Sequence, residues 1–298
     1  MVQFLTDLGQ FGFLRNALAV GLLASVACGI VGTYVVTRRI TAIAGSIAHC
    51  VLGGLGVARW LQTVHHLEWL HPLYGAVVAA LLAAVLIGWV SIRAKRHEDT
   101  VISAIWAIGM AVGILFIFKT PGYNEDLLSY LFGNILMVTD EDLWMVAGLD
   151  AVIVAVSLLF YHPFLATCFD EEFARLRGVP VERYYILLLC LTALTVVLLI
   201  TVVGIILVIA LLTLPAAIAG TFSRKLWHMM IVAALTTAAL TAGGLALSYG
   251  PDLPAGAATI VLAGVAYLAA VLGKRLFGRR RAALTPEPPD PSGNPRPR

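Results

Sequence analysis

His49 stands in the stretch Ala44-Gly45-Ser46-Ile47-Ala48-His49-Cys50-Val51, in the middle of a long apolar run. An ionisable side chain at membrane depth needs a partner, water or a cargo, which makes His49 the first candidate for chemistry in this chain. Neutral imidazole is also the commonest transition-metal ligand. The competing reading is a histidine that only hydrogen-bonds across helices. The polar groups available to help it are Ser46 and Cys50 on the same run and Asp150 inside another, with Cys28 as a more remote soft ligand. Gly45, Gly53, Gly54 and Gly56 on the histidine's own run favour close backbone approach over a second charged ligand there.

A second group, His65, His66, Glu68 and His71, crowds one short loop. Such spacing suits capture of zinc, and equally an ordinary solvated loop at the membrane interface, because nothing in the sequence fixes its geometry. No G-x-x-x-x-G-K-[ST] loop is present to cradle phosphates, and no H-E-x-x-H set to do metal-assisted hydrolysis. The chain is therefore not expected to hydrolyse ATP or to be an enzyme, and no permanently bound cofactor is expected. Nothing in the charge pattern points to nucleic acid. Cys28, Cys50, Cys168 and Cys190 are far apart, with no C-x-x-C pair, which argues against a disulfide framework.

The elements that must position these groups follow from composition. Of 298 residues, 60% are hydrophobic and 12% charged, and the mean hydropathy is +0.92. The apolar residues come in blocks long enough to cross a bilayer, so the fold class is an all-α, polytopic transmembrane helical bundle. Spans are expected at 13–37, 40–61, 72–92, 100–118, 143–161, 184–202, 204–222, 228–248 and 256–273, about nine in number. Of the 20 Lys and Arg, all but Arg15, Arg59 and Lys119 fall on one side of that topology. By the positive-inside rule that side is cytoplasmic, so the protein is a multi-pass protein of the cell membrane with its N-terminus outside and its C-terminus in the cytoplasm. Residues 1–278 are expected to form one transmembrane domain. The stretch 279–298, basic and then proline-rich, is expected to be a disordered cytoplasmic tail whose Arg279-Arg280-Arg281 meets anionic lipid headgroups.

The most polar interruption is Phe169-Asp170-Glu171-Glu172-Phe173-Ala174-Arg175-Leu176-Arg177-Gly178. Read as one helix, within about 165–179, it puts Phe169, Phe173 and Leu176 on one face, lets Glu171 pair with Arg175, and stops at Gly178 before Pro180. Pattern alone allows either a helix lying on the lipid surface or a docking surface. Two further features mark spans six and seven: Gly204 must make a tight turn between them, and Pro215 lies inside the seventh, where it frees a backbone carbonyl and invites a kink. Glu125 to Leu136 is apolar but too short to cross and reads as a short helix at the outer face.

The charged run carries every fixed position of F-D-x-E-x-A-x-x-x-G, and so resembles the coupling segment of the metal-importing ABC permeases, the membrane subunits of zinc, manganese and iron uptake systems. The D-L-x-x-x-L-F-G-x-I-L stretch from Asp126 and the spacing through residues 203–216 are similar to the same family. The resemblance implies a type II ABC importer fold, a homodimer, ATPase subunits bound through Phe169, Asp170, Glu171, Glu172, Ala174, Arg177 and Gly178, and substrate handed over by an external metal-binding protein. It implies a transport path lined by spans two and seven, with Gly45, Gly204 and Pro215 as its pathway or kink positions. The family's second span reads G-D-x-x-x-H; His49 matches the histidine, but the aspartate's place is taken by Gly45. Without that hard oxygen ligand, a site built on His49 suits zinc first, with manganese or iron next. A chelate permease and an ion-coupled secondary transporter are the alternatives.

Overall fold

The computed structural model describes residues 7, 11–67, 69–121, 138–251 and 253–284. The expected helix over Glu125–Leu136, Glu68, and the tail from residue 285 onward lie outside the described residues. Those described form helices α1 (Gly12–Arg38), α2 (Thr41–Val64), α3 (Pro72–Arg93), α4 (Glu98–Lys119), α5 (Asp140–Leu159), α6 (Tyr161–Phe169), α7 (Glu171–Leu176), α8 (Val181–Val203), α9 (Ile205–Phe222), α10 (Leu226–Tyr249) and α11 (Ala255–Leu284), with one 3-10 turn at Lys95–His97. Nine of them are long and apolar enough to cross a membrane, and their bounds fall within a few residues of the expected spans at all but the last C-terminus.

Helices α1, α2 and α8 are the centre: each buries 67% of its span, against 17%, 22% and 17% for α4, α5 and α11. Helix α1 packs on α10, α5, α9 and α8, while α2 packs on α4, α3, α8 and α9. Lipid is as apolar as leucine, so helices associate in it through close packing of small residues rather than through a hydrophobic drive. The α2–α3 crossing shows this. A Cβ on Gly54 would lie 2.1 Å from the Gly75 carbonyl oxygen, and one on Gly75 would lie 2.4 Å from that of Gly54. On the other side of α2, Gly53 and Gly56 meet the backbones of Gly109 and Gly113 in α4. In α1, Gly32 sits against the Leu212 carbonyl of α9. Gly53, Gly54 and Gly56 serve backbone approach, as expected, whereas at Gly45 no backbone lies within 4 Å of a Cβ.

The helix ends follow local chemistry. His71 accepts the Leu73 amide through Nδ1 ahead of Pro72 at the start of α3. Thr139 and Asp142 form a reciprocal capping box at the start of α5. Gly204 alone separates α8 from α9, at φ 79° and ψ 165°, a region open essentially to glycine. Helix α9 then runs through Pro215 without ending.

One expectation about a boundary is corrected. The charged island is not one helix, because the chain breaks at Asp170, which is extended (φ −151°, ψ 94°) and accepts the Phe173 amide at 2.9 Å to start α7 afresh. A short acceptor side chain at that position competes with helix continuation and favours a cap. The last helix runs on to Leu284, while the part of it apolar enough to cross a membrane ends at Arg275, two residues from the expected end at 273. Arg279 to Leu284 are good helix formers, and the chain meets a barrier only at the residue before Pro286.

Candidate functional site

The His49 imidazole on α2 stacks on the Trp106 indole of α4, with centroids 4.5 Å apart and planes 12° from parallel. Ser46 and Cys50, three residues before and one after, point the same way. Ser46 Oγ donates to the Ile102 carbonyl at 2.9 Å, and Cys50 Sγ donates to the Ile105 carbonyl at 3.7 Å. Both are thereby committed to the α4 backbone. His49 differs: its Nδ1 is buried and has no hydrogen-bond partner among the described residues. A buried nitrogen left unsatisfied costs free energy unless something else occupies it. It is the group on this helix best placed to receive a ligand.

Asp150 is held elsewhere. The carboxylate, 7% exposed, accepts the Ala27 amide of α1 at 3.1 Å and lies close enough to Cys28 to interact with it. This joins two of the sequence-level helper ligands to one another and to α1. Among the described residues, no group of three or more His, Cys, Asp or Glu gathers to hold a metal ion, so His49, Ser46, Cys50 and Asp150 are not one ligand cluster. At Gly45 a Cβ would meet only Ile209 Cδ1 of α9, at 3.6 Å. That places α2 beside α9 at the position where the family pattern has its aspartate.

The loop histidines are separate and partly used. His65 ends α2 with its ring edge-on to Trp60 at 4.8 Å, His66 sits at φ 52°, and His71 caps α3 through Nδ1. The ring nitrogens are not gathered at one point.

At the far end of the bundle lie α6 and α7. Helix α6 is fixed by Phe164, fully buried, whose ring meets Tyr34 of α1 edge-on at 5.3 Å and Tyr184 of α8 at 6.3 Å. Helix α7 buries Ala174 alone. Its other apolar side chains face out: Phe173 and Leu176 are 52% and 87% exposed, and Phe169, at the end of α6, is 66% exposed. Arg177 lies over the Phe173 ring at 4.9 Å, and Glu172 is exposed.

Helix α7 ends in a Schellman motif. The Val179 amide bonds the Ala174 carbonyl and the Gly178 amide bonds the Arg175 carbonyl, each at 3.0 Å, with Gly178 at φ 78°.

Charge pairing also departs from the expected i, i+4 arrangement. Glu171 pairs with Arg38 of α1, not with Arg175, and Arg175 stands 3.9 Å from Glu182 of α8. Glu171 thus turns toward the bundle, while Glu172 keeps the solvent side. Arg38, Arg39, Glu98, Glu171, Arg175 and Glu182 line a polar recess of about 340 Å³ at this end. Beside it, burial pushes the Cys168 thiol up to about 11, against the pull of the Arg38 charge.

Sequence reasoning did not find Trp106 or Arg38. Trp106 reads as one more aromatic in an apolar span, and Arg38 as one basic residue at a span end. Its bond to Thr167 crosses 129 positions, which no local spacing rule reaches.

Over 268 residues the chain is 44% identical to the "Probable metal transport system membrane protein" of Chlamydia trachomatis, covering 90% of each chain. It is 32% identical to the manganese import system permease protein ScaB of Streptococcus parasanguinis, covering 90% of this chain and 93% of that one. Among solved structures, PsaBC from Streptococcus pneumoniae in complex with Fab superposes with a TM-score of 0.81 at 31% identity, covering 90% of this chain and 94% of that one. The model of the ABC 3 transport family matches residues 10–274. The chain therefore belongs to the ABC 3 transport family, as a multi-pass membrane permease subunit of an ABC importer whose ATP hydrolysis is carried by a separate ATPase.

Proposed function

We propose that this chain forms the membrane pathway of an ATP-driven importer of divalent transition metal ions, with manganese first and zinc second. The observation that carries the reading is α7, a short capped helix at one end of the bundle. It buries only Ala174 and leaves Phe173 and Leu176 uncovered next to Glu172 and Arg177. An amphipathic element with its apolar residues turned away from its own bundle is built to be covered by another protein. The ATPase subunit is that protein, and the α7 end is the cytoplasmic one.

Manganese stands first because relatives at about a third identity carry manganese permease names, ScaB among them. Zinc stands second because His49 has no carboxylate beside it, and imidazole without oxygen donors suits zinc better than manganese. In this reading a second copy of the chain completes the pathway between α2 and α9, and an external metal-binding protein delivers the ion. ATP binding on the partner subunits displaces α7, and the pathway opens to one side at a time.

The test is uptake into proteoliposomes holding the chain, its ATPase and its binding protein, with manganese and zinc compared for wild type and His49→Ala. Accumulation driven by ATP and lost in the variant supports the reading. ATP hydrolysis without accumulation of either metal would keep the permease and remove the metal. A Glu172→Ala, Gly178→Ala double variant is expected to lose ATPase association while remaining folded.

A further inference from the structure

One guanidinium at the α7 end of the bundle touches three elements at once. Arg38, in the last turn of α1, donates Nη1 to the Thr167 carbonyl of α6 at 2.7 Å, pairs through Nη2 with Glu171 in the first turn of α7, and lies over the Tyr185 ring of α8 with Cζ 5.3 Å from its centre. Its side chain is 19% exposed, so these contacts are largely shielded from water. The first two span the break at Asp170, one on each side of it.

The break is where a push on α7 would be lost. Helix α6 is locked by the Phe164, Tyr34 and Tyr184 rings, whereas α7 has one small buried residue, its chain connections and, besides Arg38, the solvent-exposed Arg175–Glu182 pair at 3.9 Å, which exposure weakens. A displaced α7 would swing about Asp170 unless something splints it. A planar fork with fixed donor directions can hold two acceptors at a set angle, which a single ammonium cannot. Arg38 also stands at the head of the shortest route to the His49 helix, since α1 reaches α2 through Arg39 and Ile40 alone.

We propose that Arg38 is a positioning residue that splints α6 to α7 and delivers the displacement of α7 into α1 and, through that short turn, into α2. The inference rests on the permease reading and adds a specific joint to it. In its absence α7 still docks and ATP is still hydrolysed, but the stroke is spent bending the chain at Asp170.

The experiment compares wild type, Arg38→Lys and Arg38→Gln in proteoliposomes with the ATPase and binding protein. Metal moved per ATP hydrolysed is measured, with manganese and zinc as the probes, alongside ATPase affinity and thermal midpoint. Arg38→Gln is expected to lower the metal-to-ATP ratio about fivefold or more, the lower range of typical coupling effects. ATPase affinity is expected to stay at the wild-type value, and Arg38→Lys, which keeps the charge but not the fork, falls between.

A purely structural role would depress midpoint, affinity and turnover together and leave the ratio intact. That result overturns the proposal, as does an unchanged ratio in both variants. Where Arg38→Gln fails to assemble, the ratio in Arg38→Lys decides alone. A wild-type complex that hydrolyses ATP but moves neither metal overturns the metal-importer reading instead, and the inference falls with it.

Discussion

Replacing Gly178 isolates the backbone geometry of α7, the helix we propose docks the ATPase, from its chemistry. Gly178 ends α7 at φ 78°, and nothing lies within 4 Å of a Cβ built there, so alanine adds no clash. The cost is conformational, roughly 1–2 kcal/mol for an L-residue held in the left-handed region. At 1.4 kcal/mol per decade, that sets an upper limit of about 5–30-fold on the loss of affinity when the docked state requires α7 to end at this angle. It is an upper limit because strain that the undocked segment already carries at this angle cancels out of the binding free energy.

Asparagine tolerates the left-handed region better, so Gly178→Asn should lose less than Gly178→Ala, and the β-branched Gly178→Val more. The assay is a titration of the ATPase onto nanodisc-embedded permease, read by fluorescence anisotropy. Wild-type affinity for Gly178→Ala, or an order in which asparagine is worse than alanine, would refute the proposal that the Schellman turn shapes α7 for docking.

Three more tests bear on other parts of the fold. Gly54→Ala puts a methyl group 2.1 Å from the Gly75 carbonyl, a backbone atom that cannot turn aside; a loss of about 1–3 kcal/mol is expected from overpacking, seen as a lowered thermal midpoint in detergent. Gly45→Asp meets only Ile209 Cδ1 at 3.6 Å, so the carboxylate can enter one turn from His49; metal retention should rise, manganese gaining more than zinc. An unchanged manganese-to-zinc ratio would count against His49 as the ligand position.

Cys168 gives the pH test. Its folded value of about 11 lies above the ordinary 9.0 because burial disfavours the thiolate. The protonated thiol therefore favours the fold below pH 9, and that contribution is lost as pH rises from 9 toward 11. Maleimide labelling of folded protein at pH 8 should be slow, and labelling after detergent unfolding rapid.

How legible each part was depends on the range of the physics involved. The span positions could be read because about 20 apolar residues are needed to cross hydrocarbon, a constraint that acts segment by segment. The start of α7 was misplaced because Phe169 and Phe173 share a helical spacing, while the decision to break was made by the Asp170 side chain capping Phe173. His49 stood out by depth alone. Its stack on Trp106 and its unsatisfied Nδ1 depend on how α4 lies against α2, which the glycines at 53, 56, 109 and 113 permit without specifying.

Composition, hydrophobic block length and charge placement determined by themselves that this is a helical multi-pass bundle with one charged helical interruption, because each depends on transfer of local segments between water and lipid. Tertiary structure decided which polar groups meet. Asp150 went to Ala27 and Cys28 rather than to His49, and Glu171 to Arg38 rather than to Arg175. The physical reason is that, in a medium where a buried charge must find some partner, the partner chosen is the one that helix packing brings within hydrogen-bond reach. That packing is set by small residues and backbone contacts far apart in the chain.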